Sequence, residues 1–300
     1  MESLKQKVFL IGSNGQIGKA FLEEDNKKFN LVFSTRDSLD LLNTSKIADA
    51  IKVENPDIII NCSGFTDVEL AETTAGKVET LNSEVPRILA ETASSLDSLL
   101  IHFSTDYVFD GRKEGQYIEE DKPNPLSNYG RTKLEGDRNI SQFGKKYFIF
   151  RTCWIYSQFN KNFLKTLVNL MTNKTEIRVI IDQIGTPTSA TFISRNVYRI
   201  LGQIKNMENI PYGIYNLRPK GSASWFEFAE QVLSLLKTIN RDKVLTERIV
   251  PIISSAWEGK AQRPKNSVLD ISKIHSNFDI ETLSWDEYVL GELKKIIKNN

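Results

Sequence analysis

Four short apolar runs, each ending in glycine or polar residues and each followed by a helix-like stretch, do most to limit what this chain can fold into. They are KVFLIG (7–12), NLVFST (30–35), DIIINCSG (57–64) and LLIHFSTD (99–106). An apolar run of this length without polar alternation is the pattern of a strand covered on both faces, as in a parallel sheet. Between the runs lie QIGKAFLEE, then SLDLLNTSKIADAIKVEN stopped by Pro56, then helical sequence from about residue 75 to 96. KKYFIFRTCWIYS reads as a further strand running into Trp154. This alternation predicts an α/β, Rossmann-like doubly wound parallel sheet, with its ligand crevice at the carboxyl ends of the strands.

The second half is less regular. NFLKTLVNLMTN reads as an amphipathic helix, EIRVIID as a strand, IYNLRP as a short strand, SASWFEFAEQVLSLLKTI as a helix opened by Ser224, and LSWDEYVLGELKKIIKNN as a closing helix. The expected division is a dinucleotide-binding domain over 1–156 and a smaller, mainly substrate-binding domain over 157–300. Segments near 176–200 and 212–218 are candidates to return to the first sheet.

The 300 residues carry 39 Lys+Arg against 38 Asp+Glu, so the balance gives no electrostatic reason to expect nucleic acid or an anionic membrane as partner. MESLKQKVFLIG enters an apolar run too short for a signal peptide or a membrane span, and a cytoplasmic location is expected. The only cysteines, Cys62 and Cys153, sit apart in apolar segments, and with only His102 and His275 beside them no zinc spacing arises. Both cysteines, and His102 inside its apolar run, read as core residues. Glu119, Glu120 and Asp121 read as a solvated acidic loop.

Chemistry is expected at two places. GSNGQIG puts Gly12, Gly15 and Gly18 between a strand and a helix, where glycines permit a tight turn and close approach of a pyrophosphate to the helix N-terminus. The spacing is GxxGxxG rather than the commoner GxGxxG. At the end of the second run stands Arg36 instead of an acid; a guanidinium there can pair with a 2′-phosphate, so NADPH is expected, with NADH the alternative. SNYGRTKLEG, in turn, sets Tyr129 and Lys133 four residues apart, on one face of a helix. An ordinary phenol exchanges its proton poorly at neutral pH, and a neighbouring cation favours ionisation. The pair is a candidate general acid/base.

GSNGQIG, NCSGFTDVELAE, STDYVFDG, PNPLSNYGRTKLEG, RTCWIY, DQIGTPTSA and RPKNSVLD, in that order, resemble the extended short-chain dehydrogenase/reductase superfamily and, more narrowly, the dTDP-4-dehydrorhamnose reductase family. The resemblance runs from Val8 to about Asp270. It implies hydride transfer to the C4 ketone of a nucleotide-linked 4-keto-6-deoxy sugar. In that scheme Tyr129 supplies the proton, Lys133 lowers the tyrosine pKa and holds the nicotinamide ribose, and Thr105, rather than Ser104, bonds the sugar oxygen. Gly15, Gln16 and Ile17 would follow the pyrophosphate, Asp40 and Leu41 the adenosine, and Gly64, Phe65, Thr66 and Phe103 the cofactor. Asp106, Tyr107 and Trp154 would line the sugar pocket, and Arg263 would meet the diphosphate.

The chain departs from the family pattern where some members bind magnesium between subunits: the matching positions are Ala20 and Thr191, which cannot supply a carboxylate. No metal is expected; this argues against a metal-bridged dimer and leaves a simple homodimer open. Dehydratases of the same superfamily follow the threonine with Asp-Glu, whereas Asp106-Tyr107 stands here, which favours simple reduction. The chain also resembles the regulatory subunit of methionine adenosyltransferase, a binding protein that can keep the same motifs.

Overall fold

A computed structural model describes residues 5–24, 28–256, 259–281 and 283–298. The apolar runs form strands β1 (Gln6–Ile11), β2 (Phe29–Ser34), β3 (Ile58–Asn61) and β4 (Leu99–Thr105), and YFIFRT forms β5 (Tyr147–Thr152). All pair in parallel, and β2-β1-β3-β4-β5 is extended by a strand from the second half. That order reverses direction between β1 and β3, the switch point at which doubly wound sheets bind ligands.

Period-two alternation divides the strand residues between two cores. Val8, Leu10, Ile58, Ile60, Ile101 and Phe103 face one way, while Phe9, Ile11, Ile59, Leu100 and Ile149 face the other. Helices α1 (Gln16–Glu23) and α8 (Ala190–Ile204) pack together over the first core. Over the second lie α2 (Ile47–Glu54), α5 (Val85–Ser95) and α6 (Asn128–Phe143). A short α3 (Val68–Ala71) follows β3, and α4 (Ala75–Glu79) leads through a π-helical turn, Thr80–Glu84, into α5.

After β5 come β6 (Ile155–Tyr156), α7 (Phe163–Asn173), β7 (Glu176–Ile180), β8 (Ile184–Gly185) and β9 (Thr188–Ser189). Beyond α8 lie β10 (Gly213–Asn216), β11 (Ala223–Ser224), α9 (Trp225–Asn240), β12 (Arg248–Ile252), α10 (Ser272–Asn277) and α11 (Trp285–Lys298). β10 is the strand that extends the central sheet, in parallel beside β5. The strand near 176 does not return to that sheet: β7 pairs with β12, in register from Glu176 opposite Arg248 to Ile180 opposite Ile252. In that segment it is α8, not the strand, that packs back on α1. Ser224 opens α9 with a reciprocal capping box to Glu227. The closing helix ends at Lys298, the expected last two residues lying outside those described.

Glu119 departs from the solvated loop expected of it. It is buried, and its carboxylate accepts the Asn216 N–H at 2.8 Å, tying the loop to β10. Thr191 and Ser189 donate to the buried Glu292 of α11, at 2.7 and 3.1 Å, and Ala20 is buried in α1. Thr191 therefore spends its hydroxyl on closing the molecule. Cys153 is also buried, which pushes its thiol up to about 12.

Candidate active site

The glycine turn comes first along the chain. Gly12 takes φ +77°, and an added Cβ would lie 2.9 Å from the Ser63 nitrogen, so the crossing of β1 past the end of β3 admits only glycine. Gly18 lets α1 pack on the turn, since a Cβ there would sit 2.5 Å from the Gly12 carbonyl oxygen. Gly15 is the N-cap of α1 without a capping side chain, and no acidic residue fills the first turn. The amides of Gln16, Ile17 and Gly18 thus open a helix at which an anion is favoured. Ile17 itself turns its side chain into the core, and Gln16 accepts from the Ser157 hydroxyl at 2.9 Å.

Beside the turn is a cavity of about 450 Å³, lined by Gly12, Gly15, Arg36, Asp40, Leu41 and Gly64 among others. Arg36 is exposed at it. Phe65 lies beyond Gly64, its backbone held on both sides by Asn82: N–H to Oδ1 at 2.8 Å, and Nδ2 to the carbonyl at 3.0 Å. Thr66 is exposed on the same loop. Phe103 does not line this cavity with its ring, which packs against Phe150 in the core. What Phe103 contributes is its carbonyl oxygen, which accepts from Lys133.

Ser127 caps α6, on which Lys133 is buried and Tyr129 half-buried. Gly130 lets the helix approach the loop after β4: a Cβ would lie 2.3 Å from the Tyr107 carbonyl oxygen. The Tyr129 phenol faces Thr105 at the end of β4, whose hydroxyl donates to Asp106 Oδ1 at 3.0 Å, whereas the Ser104 hydroxyl is buried without a partner. Tyr107 sets its ring edge-on to Tyr129, centroids 5.6 Å apart, and lies beside Arg263. Arg263 is anchored by Glu69 at 2.6 Å, whose carboxylate also accepts the Lys260 and Ala261 amides at 2.7 and 3.1 Å. Asp106 is buried between these groups, and one of its oxygens, Oδ2, has no hydrogen-bond partner.

Trp154 follows β5 in the left-handed region, φ +47°, a costly conformation for a tryptophan. Its indole lies flat on Trp225, centroids 3.5 Å apart, and close against Gly185, where a Cβ would meet the ring at 2.5 Å. The ring is thus clamped between Gly185 and Trp225 at the start of α9.

The electrostatics differ from expectation at the central pair. No described hydrogen bond joins Lys133 to Tyr129; the Lys133 ammonium nitrogen, Nζ, lies 2.6 Å from the Phe103 carbonyl and 3.1 Å from His102 Nε2. Burial first, then the Asp106 and Asp137 carboxylates, push the Tyr129 phenol up, and the neighbouring Thr105 hydroxyl opposes them. Burial lowers Lys133 to about 8 against the pull of Asp137, which is itself paired with Arg151 in the core at 3.2 Å. The phenol therefore keeps its proton at neutral pH, the state that a reduction requires of a proton donor. His102 is a core residue as expected, but its partners are Lys133 and Asn61.

Sequence reasoning missed two groups. Asn82 reads from the sequence only as a helix residue; its role depends on the π turn that aims it at Phe65 and at Thr132, 3.3 Å away. Glu69 gave no signal, since its partners lie more than 190 positions away.

The sequence profile described as "RmlD substrate binding domain" matches residues 6–298. A dTDP-4-dehydrorhamnose reductase of Sinorhizobium fredii is 34% identical over 94% of each chain. The chain belongs to the dTDP-4-dehydrorhamnose reductase family. Another member, from Burkholderia thailandensis, is 32% identical over 95% of this chain and 97% of its own. Among solved structures, the family's Bacillus anthracis enzyme, in complex with NADP, superposes with a TM-score of 0.89 at 30% identity, covering 97% of this chain and all of that one. A Clostridium acetobutylicum ortholog gives the same TM-score and identity, covering 97% and 99%. Among the described residues of this family member, no helix is long and apolar enough to cross a membrane.

Proposed function

We propose that this chain reduces the C4 ketone of dTDP-4-dehydro-L-rhamnose, giving dTDP-L-rhamnose, with NADPH or NADH as reductant. Family membership over nearly the whole chain supports the reaction class, and the Bacillus anthracis relative solved with NADP supports the cofactor. The observation that carries the reading is the placement of the Tyr129 phenol beside the Thr105 hydroxyl at the mouth of β4, with Lys133 one turn further along α6. The dinucleotide fits the uncapped start of α1 and the adjoining cavity, where Gly15, Gln16 and Ile17 would hold the pyrophosphate, Asp40 and Leu41 the adenosine, and Arg36 a 2′-phosphate. When bound, the reduced nicotinamide supplies hydride to the carbonyl carbon.

As the ketone oxygen gains negative charge it needs a donor that is already in place. Tyr129 gives its proton to that oxygen, and Thr105 bonds the same oxygen. Asp106 offers its unpartnered oxygen to a sugar hydroxyl, Tyr107 and the clamped Trp154 wall the pocket, and Arg263, set by Glu69, meets the diphosphate. Residues 1–156 form the dinucleotide-binding part and 157–300 mainly the substrate-binding part, with β10 belonging to the first. A cytoplasmic location and, at most, a metal-free homodimer complete the reading.

The test is oxidation of NADPH, followed by absorbance, with and without a dTDP-4-keto-6-deoxy sugar. Sugar-dependent oxidation yielding dTDP-L-rhamnose is expected. Normal cofactor binding with no turnover would overturn the reading.

A further inference from the structure

Lys133 Nζ lies 3.1 Å from His102 Nε2, and the other ring nitrogen, Nδ1, lies 3.0 Å from Asn61 Nδ2. Asn61 is oriented in turn: its Oδ1 accepts the Ser63 backbone N–H at 3.0 Å and the Ser63 hydroxyl at 2.5 Å. A backbone N–H can only donate, so the amide oxygen must face Ser63 and the NH₂ must face the imidazole. An NH₂ can only donate as well. Nδ1 is therefore the acceptor, and a neutral His102 carries its single proton on Nε2, aimed at Lys133.

His102 is 1% exposed, and burial, with the Lys133 charge, holds its pKa well below the usual histidine range, so the neutral ring is the form present. An ammonium has three donors and no lone pair; a free amine has one. We propose that His102 is a positioning residue for Lys133, presenting an Nε2–H that only the unprotonated amine can accept, so that the Asn61–His102 pair biases which protonation state Lys133 holds in the site. The amine would accept from His102 and donate to the Phe103 carbonyl, satisfying both contacts at once.

The other groups around Lys133 act in known directions. On its own helix are Tyr129 and Asp137, and Asp137 favours the ammonium. From β5, Arg151 is paired with Asp137, and from the end of β4, Asp106 acts on the phenol. From α4 and the turn that follows it, Glu79 is engaged at the surface by Arg131, and Asn82 offers Thr132 an uncharged amide. His102 is thus the contact that opposes Asp137. The functional consequence rests on the role of Lys133 in the proposed reduction; the bond polarity does not.

The experiment reads that polarity directly, in the full-length chain labelled with ¹⁵N, with and without NADPH. The sequence has two histidines, so a two-bond ¹H–¹⁵N correlation spectrum contains two imidazoles, assigned by the signals that vanish in His102→Phe. The Nε2–H tautomer of His102 is expected near neutral pH in the cofactor-free chain. An Nδ1–H tautomer or an imidazolium there would overturn the proposal, whether or not the chain proves to be a reductase. Asn61→Asp replaces the donor facing Nδ1 by an acceptor, so the ring should switch to Nδ1–H and Nε2 should accept from an ammonium. The high-pH limb of kcat/KM should then move upward by about 1 pH unit in Asn61→Asp and in His102→Phe. A limb that stays in place in a folded variant would overturn the proposal; a purely structural role would lower activity at all pH values without moving it.

Discussion

Replacing Asp106 by asparagine should trade substrate binding for stability, by an amount the structure sets. Asp106 is 2% exposed, and burial, opposed by the neighbouring Ser267 and Thr105 hydroxyls, raises its pKa from 3.8 to about 6. A carboxyl whose folded pKa lies above its unfolded one contributes stability that is present at low pH and is lost as pH rises through the folded value. For these two pKa values the loss at neutral pH is about 3 kcal/mol, about 2 kcal/mol larger at about pH 7.5 than at about pH 4.5. Urea unfolding of the wild type and of Asp106→Asn at those two pH values isolates the effect, because other groups cancel in the difference. The new carboxamide retains an oxygen for Thr105 but places an NH₂ where the unpartnered Oδ2 was, which adds a pH-independent cost. The gain of the variant over the wild type should therefore grow by about 2 kcal/mol from the acidic to the neutral measurement. An equal difference at both pH values would refute the burial argument.

Three further outcomes follow from single contacts. Arg36→Ala should raise the KM for NADPH far more than that for NADH; equal changes would remove Arg36 from the cofactor site. Glu69→Gln should loosen the 260–263 segment and raise the KM for the nucleotide sugar several-fold, on the order of 1 kcal/mol for weakened charged hydrogen bonds, while cofactor affinity measured by titration stays unchanged. Arg151→Met would leave Asp137 buried without its cation, and thermal or urea unfolding should show a loss of about 3–5 kcal/mol; a loss below about 1 kcal/mol would mean that the core pair is not what holds β5 to α6.

The strand runs were legible because the sheet is covered on both faces: IIIN and LLIHF are apolar but for Asn61 and His102. The glycine turn and the Tyr129–Lys133 spacing were legible because each is local. The return of IYNLRP to the sheet edge was readable only as a possibility, and the pairing of EIRVI with RIVPI was not readable at all, since the two strands lie 72 positions apart and neither names its partner. The same limit hid Glu69, whose ligands come from the far end of the chain. A different limit misled the reading of the central pair. Helical spacing placed Lys133 beside Tyr129, but a long flexible side chain goes to the best polar partners, and those, the Phe103 carbonyl and His102, are on β4. Burial, which spacing does not report, then raised the phenol rather than lowering it.

The most direct measurement is turnover by Tyr129→Phe under saturating NADPH and dTDP-4-keto-6-deoxy sugar, with cofactor binding followed separately by fluorescence. Loss of the positioned proton donor should leave binding nearly intact and cut kcat by a factor on the order of 100 or more. Near-normal turnover by the phenylalanine variant would contradict the assignment of the proton to this phenol, and with it the account of the site.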